Sequence, residues 1–172
     1  MSTIILLIFS FLTSNLQEKT TFDASKFTLD GISCFQTTEA EIKKTYGDVV
    51  LTETDYECGF FSVDQPGSPY FQMIYPNINW IGNSKEGYQI DEIKFDPEGK
   101  IQLKYEDFVF SGLNTQEELE SFMGEKSNSI QIHQRDDEVL RSLFNYFDKS
   151  DDALMLILKG GKLIEFHYWS PC

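Results

Sequence analysis

One strand-and-helix pattern that occurs twice constrains this chain more than any other feature. Phe27 and Gly31 lead into Thr38, Glu41, Ile42, Tyr46 and Gly47; Phe108 and Gly112 lead into Thr115, Glu118, Leu119, Met123 and Gly124. The copies align with an offset of 81 residues from Phe27 to Gly31 and of 77 from Thr38 to Gly47, as if four residues were deleted between Gly112 and Thr115. Thr38 with Glu41, and Thr115 with Glu118, have the Thr-x-x-Glu spacing in which hydroxyl and carboxylate each satisfy a backbone N–H of the first helical turn. Leu119, Phe122 and Met123 share one helical face, as do Ile42 and Tyr46. Gly47 and Gly124 stand where a helix end needs a residue without a side chain. The pattern is an architecture and performs no chemistry.

Around these units the chain divides into an apolar leader over 1–14, a polar linker over 15–25 and two α+β repeats over 26–98 and 99–172. Ile4 to Leu12 is apolar except for Ser10. It is too short to span a bilayer, which takes about 20 apolar residues, and has the length of a signal-peptide core. No Lys or Arg precedes it, and a cut after Ser14 leaves Leu12 at the third position back, so a buried first strand is the alternative reading. No cysteine follows the run to carry a lipid anchor. An exported protein, periplasmic or extracellular, with no transmembrane segment in the mature chain, is the expectation.

Strands are expected over Phe27–Leu29, Val49–Thr52, Tyr56–Val63, Tyr70–Tyr75, Tyr88–Phe95, Ile101–Tyr105 and Phe108–Phe110. The turn cluster Asp64–Pro69 separates two of them, Asp96–Gly99 makes a reversal, and the Asn- and Gly-rich stretch Asn77–Gly87 reads as a loop. Ser129–His133 reads as extended. Val139, Leu140, Leu143, Phe144 and Phe147 fall at helical spacing and predict a third helix over Asp137–Phe147, capped by the acidic run from Asp136. Leu154–Leu158 and Leu163–Trp169 flank Lys159, Gly160, Gly161 and Lys162, a hairpin signature. The fold class is therefore α+β: antiparallel sheet with helices packed on one face, built from two related strand–helix–strands units. In this order of elements, over residues 26–170, the chain resembles the tandem-repeat β-lactamase inhibitor protein group and the related small outer-membrane assembly lipoproteins. The resemblance implies a non-enzymatic protein that grips another protein with a sheet face, and it assigns no functional residue.

Twice as many acidic as basic side chains, 28 against 14, give a net charge of −14, and both halves share it. Such a field repels nucleic acid and favours a partner with a basic surface. Cys34 and Cys58 form a possible disulfide in an exported chain, worth roughly 3 kcal/mol in the loop-entropy account. Cys172 is the odd thiol. The absence of a Cys-x-x-Cys pair argues against a zinc ribbon or redox motif. His133 and His167 are the only histidines, neither in helical register with the other. No nucleophile-elbow pattern accompanies them, so no catalytic residue is assigned.

Asp148, Ser150 and Asp152 begin like a calcium loop. Ala153 replaces its glycine and Lys159 its terminal glutamate, which excludes closure around the ion. No metal or cofactor is expected. Tyr75, Trp80, Ile81, Tyr168 and Trp169 are the candidate partner contacts, because Trp and Tyr dominate interface hot spots; Trp80 folded back over the sheet is the alternative. The sequence points to an inhibitor or immunity-type protein that neutralises a toxin or enzyme by binding it. The alternative is an envelope-associated module for a small molecule or glycan.

Overall fold

The computed structural model of the protein describes residues 21–54, 69–124, 131–135 and 138–171. The proposed leader, Cys58, Cys172 and the strand expected over Tyr56–Val63 lie outside them. Two hairpins open the two halves. Strands β1 (Phe27–Leu29) and β2 (Ile32–Ser33) turn through Asp30 and Gly31, at φ 50° and 85°. Two consecutive left-handed residues match the twist of a two-residue hairpin, which is why Asp-Gly serves there. Strands β7 (Leu103–Tyr105) and β8 (Phe108–Phe110) turn through Glu106, at φ 51°, and Asp107. β1 pairs antiparallel with β7, Phe27 opposite Tyr105, giving a four-stranded sheet in the order β2-β1-β7-β8.

This pairing corrects the sequence alignment of the two copies. Phe27 begins the first strand of its hairpin, whereas Phe108 begins the second strand of the other. Asp30-Gly31 corresponds to Glu106-Asp107, an offset of 76 against 77 for the helices, so the four-residue difference shrinks to one residue. The aromatic residues had drawn the alignment one strand out of place.

Helices α1 (Glu39–Tyr46) and α2 (Gln116–Met123) follow the hairpins, and both capping boxes are formed. The Thr38 hydroxyl accepts from Glu41 N at 3.2 Å while Glu41 Oε2 accepts from Thr38 N at 3.1 Å. The matching bonds at Thr115 and Glu118 are 3.2 and 2.8 Å. Ile42 of α1 and Leu119 and Met123 of α2 are buried. The chain entering each helix is also stitched to the sheet: Thr37 and Tyr88 exchange two backbone bonds, while Gln116 N donates to Gly161 O and Leu163 N to Asn114 O.

Each half then supplies four strands to one antiparallel sheet. They are β3 (Thr52–Thr54), β4 (Tyr70–Tyr75), β5 (Ile78–Asn83) and β6 (Gly87–Lys94), then β9 (Gln131–Arg135), β10 (Glu138–Tyr146), β11 (Ala153–Lys159) and β12 (Lys162–Trp169). The order is β3-β4-β5-β6-β12-β11-β10-β9, with the seam between halves at β6–β12. Among the described residues the protein is thus α+β and mostly strand, with two antiparallel sheets and two α-helices.

The strand expected over Val49–Thr52 runs instead from Thr52 to Thr54, and two larger expectations fail. The helix predicted over Asp137–Phe147 is strand β10. Flanked by β9 and β11, it buries Leu143 and Asn145 on one face and Leu140 and Ser142 on the other. The buried side switches partway along the strand, from Leu140 and Ser142 to Leu143 and Asn145, which breaks the simple alternation and lets its apolar residues fall by accident at helical spacing. The loop predicted over Asn77–Gly87 contains β5. Its glycine and asparagines mark the hairpin ends and a close approach, since a Cβ on Gly82 would stand 2.1 Å from Gly87 O.

One apolar cluster joins both sheets and both helices. Its centre is aromatic: Phe27 contacts Tyr105 at 4.7 Å and Phe166 at 6.5 Å between ring centroids, and Phe108 stacks on Phe122. Ile78, Trp80, Ile93, Leu143, Leu156 and Phe166 present the inner face of the large sheet to this cluster.

Candidate functional site

Side chains alternate across a strand, so the neighbours of those core residues project from the opposite, outer face. One transverse row of that face follows directly from the register: Phe144, Met155, His167, Glu92, Asn79 and Ile74, on six successive strands. None of the six is buried, and Ile74 is 56% exposed. The adjacent row through Ser142, Ile157 and Glu165 is buried. An accessible stripe, apolar at its ends and polar at the seam, therefore crosses the sheet.

The polar centre is built by one irregularity of register and one regular pair. Asn79 pairs with Glu92 and Trp80 with Ile90, which leaves Asp91 as an extra residue in β6. A bulge of this kind re-aims side chains, and here Asp91 joins Glu92 on the outer face, where Asn79 Nδ2 donates to Asp91 Oδ2 at 3.0 Å. Glu165 and His167, two apart in β12 and in regular register with Ile157 and Met155, share that face by ordinary alternation. His167 Nε2 lies 2.8 Å from Glu165 Oε2 and 3.9 Å from Glu92 Oε1. Arg135 Nη1 donates to Glu165 Oε1 at 2.8 Å, and Lys94 Nζ is 3.5 Å from Glu92 Oε1.

These contacts divide the carboxylates. Burial disfavours charge on Glu165, but hydrogen bonds from His167 and Arg135 outweigh it and hold its carboxyl below the ordinary range. Asp91 goes the other way: burial, reinforced by Glu92, raises it against the opposing pull of His167 and Asn79. Asn79 Oδ1 is buried and accepts no hydrogen bond.

The residues expected to meet a partner are dispersed. Trp80 is fully buried against Tyr46, Ile81 is 1% exposed, and Tyr168 is buried with its ring stacked on Phe147. They present no surface; Trp80 folds back into the core. Tyr75 packs on Tyr46 and donates its hydroxyl to Gly47 O at 2.8 Å. Trp169 is 36% exposed and meets the edge of Phe144, so it alone of the five borders the outer stripe with accessible surface.

Cys34 is a free, buried thiol, raised by desolvation well above the ordinary range; its expected partner Cys58 lies outside the described residues. His167 belongs to the polar centre. His133 sits in β9 opposite Leu140. Asp148 and Asp152 instead line a cavity of about 210 Å³ with Phe35, Tyr88, Phe147 and Tyr168.

Sequence reasoning missed the polar centre. Glu165 and His167, two apart in a strand, were visible as a same-face pair. Glu92 joins them only through the β6–β12 pairing, which no local signal announces. Among the described residues no helix is long and apolar enough to cross a membrane. Comparison with known proteins finds no matching family model, no matching curated protein and no matching solved structure.

Proposed function

We propose that the protein binds another protein, one with a basic surface, through the outer face of its eight-stranded sheet, and neutralises it as an inhibitor or immunity-type protein does. The observation that carries this reading is the accessible row from Phe144 to Ile74, with Glu92 at its middle and Trp169 at its flank. Interfaces place apolar and aromatic anchors within a polar surround, and a net charge of −14 would draw a basic partner in. The repeated order of hairpin, helix and four strands supports a duplicated unit with its helices on the inner face. That order also supports the resemblance to the β-lactamase inhibitor protein group, whose members bind through a sheet. The apolar run Ile4–Leu12 supports export.

The test is affinity capture from extracts of the source organism at low salt, with wild type and Ile74→Asp as paired baits. A basic protein held by the wild type, released by salt and not held by Ile74→Asp supports the proposal. Equal capture by both baits, or an acidic ligand, sinks it.

The aromatic cavity beside Asp148 and Asp152 favours a second reading, a small-molecule or glycan module. Tyr168→Ala would then abolish ligand binding, whereas Ile74→Asp would leave it intact.

A further inference from the structure

We propose that Glu92, Glu165 and His167 form a binding site for a divalent transition-metal ion of the zinc type, at the β6–β12 seam on the outer face. One ligand atom from each lies within 4.8 Å of the other two. Zinc binds imidazole nitrogen at about 2.0–2.1 Å and carboxylate oxygen at about 2.0–2.2 Å, so adjacent atoms of a tetrahedral shell stand roughly 3.3 Å apart. The separations here, 2.8 Å from His167 to Glu165 and 3.9 Å from His167 to Glu92, bracket that value. The third separation, Glu92 to Glu165, is at most 4.8 Å, so side-chain rotation that closes it by up to about 1.5 Å completes the fit. One imidazole with two carboxylates suits zinc and its transition-metal neighbours; calcium and magnesium prefer oxygen alone, and copper(I) prefers sulfur.

The supporting groups fit the same assignment. Arg135 holds Oε1 of Glu165 and leaves Oε2 turned to His167. The Glu165 side chain is 10% exposed, while Glu92 and His167 are 28% and 23% exposed, which opens one side for water. Lys94, the cation that shares Glu92 Oε1, is 55% exposed and free to swing outward. An independent observation comes from the opposite strand. Asn79 stands directly across the ladder from Glu92. Its amide nitrogen is committed to Asp91, which fixes Oδ1 as a buried oxygen with nothing to accept from. A cation, bound directly or through a water, supplies what that oxygen lacks. This inference does not depend on the protein-binding reading.

The experiment is calorimetric titration of the full chain with zinc chloride, with cobalt(II) as a visible spectroscopic probe. Glu92→Gln and His167→Gln are the test variants, and Cys58→Ser and Cys172→Ser are controls for adventitious thiol binding. The expected result is one saturable equivalent, weakened more than about tenfold by each test variant and unchanged by the cysteine controls. The cobalt spectrum should lack a sulfur charge-transfer band. Metal-free melting curves show which variants are folded, and either test variant alone decides. No saturable binding, binding equal in the folded test variants, or binding lost with a cysteine would reduce the cluster to an ion-pair network and overturn the proposal.

Discussion

Asp91 and Glu165 lie on the same sheet face, yet their environments push them in opposite directions. Glu165 has a carboxyl held below its ordinary 4.5 by His167 and Arg135. It stabilises the fold above that value, and its contribution disappears as pH falls through the lowered folded-state value. Asp91 is raised above its ordinary 3.8, mainly by burial. The folded state then binds the proton more tightly than the unfolded chain, so Asp91 costs stability as pH rises from 3.8 through the raised value. Asp91→Asn, which keeps an oxygen for the Asn79 amide, should therefore raise stability at neutral pH and leave it unchanged well below pH 3.8. Urea denaturation at both pH values checks this; a loss at neutral pH would mean that the charge itself is needed. Gly82 makes a steric claim at the same scale. Gly82→Ala places a methyl group 2.1 Å from Gly87 O, a backbone atom that cannot turn away. Overpacking of this kind costs about 1–3 kcal/mol, read as a lower denaturation midpoint with an unchanged slope.

Strand β10 is the element where local pattern and structure part. A helix there would bury Val139 with Leu143. As a strand, the same stretch leaves Val139 65% exposed and buries Leu143 completely. Val139→Thr should change stability by less than about 0.5 kcal/mol, while Leu143→Ala should cost about 2–5 kcal/mol. Comparable losses at both positions would return the helix. The contrast shows what the sequence made legible. The capping boxes, the Lys159–Lys162 hairpin and the strands at Tyr70 and Tyr88 rest on contacts within a few residues, and each was readable. The character of β10 rests on β9 and β11 covering its edges, that of β5 on Trp80 finding the core, and the Glu92–His167 pair on a seam joining distant strands. Those are long-range facts, and periodicity carries no trace of them. Trp80 and Ile81 resembled surface anchors because composition shows that a tryptophan is present without showing which way it faces.

At the scale of the whole molecule, the two halves share what each would need to fold alone. The hairpins pair through β1 and β7, and the large sheet is closed through β6 and β12. Phe27 from the first half lies among Tyr105, Phe110, Phe147 and Phe166 from the second. A chain cut after Glu98 would divide that aromatic centre and leave β1, β6, β7 and β12 as open, apolar edges. A fragment of 70–80 residues has little apolar surface to spare against the entropy of ordering its backbone. The cut would also disturb the turn in which the Asp96 carboxylate accepts from the backbone of Glu98, Lys100 and Ile101. We therefore expect residues 21–98 and 99–172, made separately, to show no cooperative unfolding. Mixed in equal amounts, they should recover the circular dichroism of the intact protein and melt at a temperature that rises with concentration, as an association must. Cooperative melting of either half alone would show that the repeats are independent domains, and that the seam is an interface between finished folds rather than the middle of one.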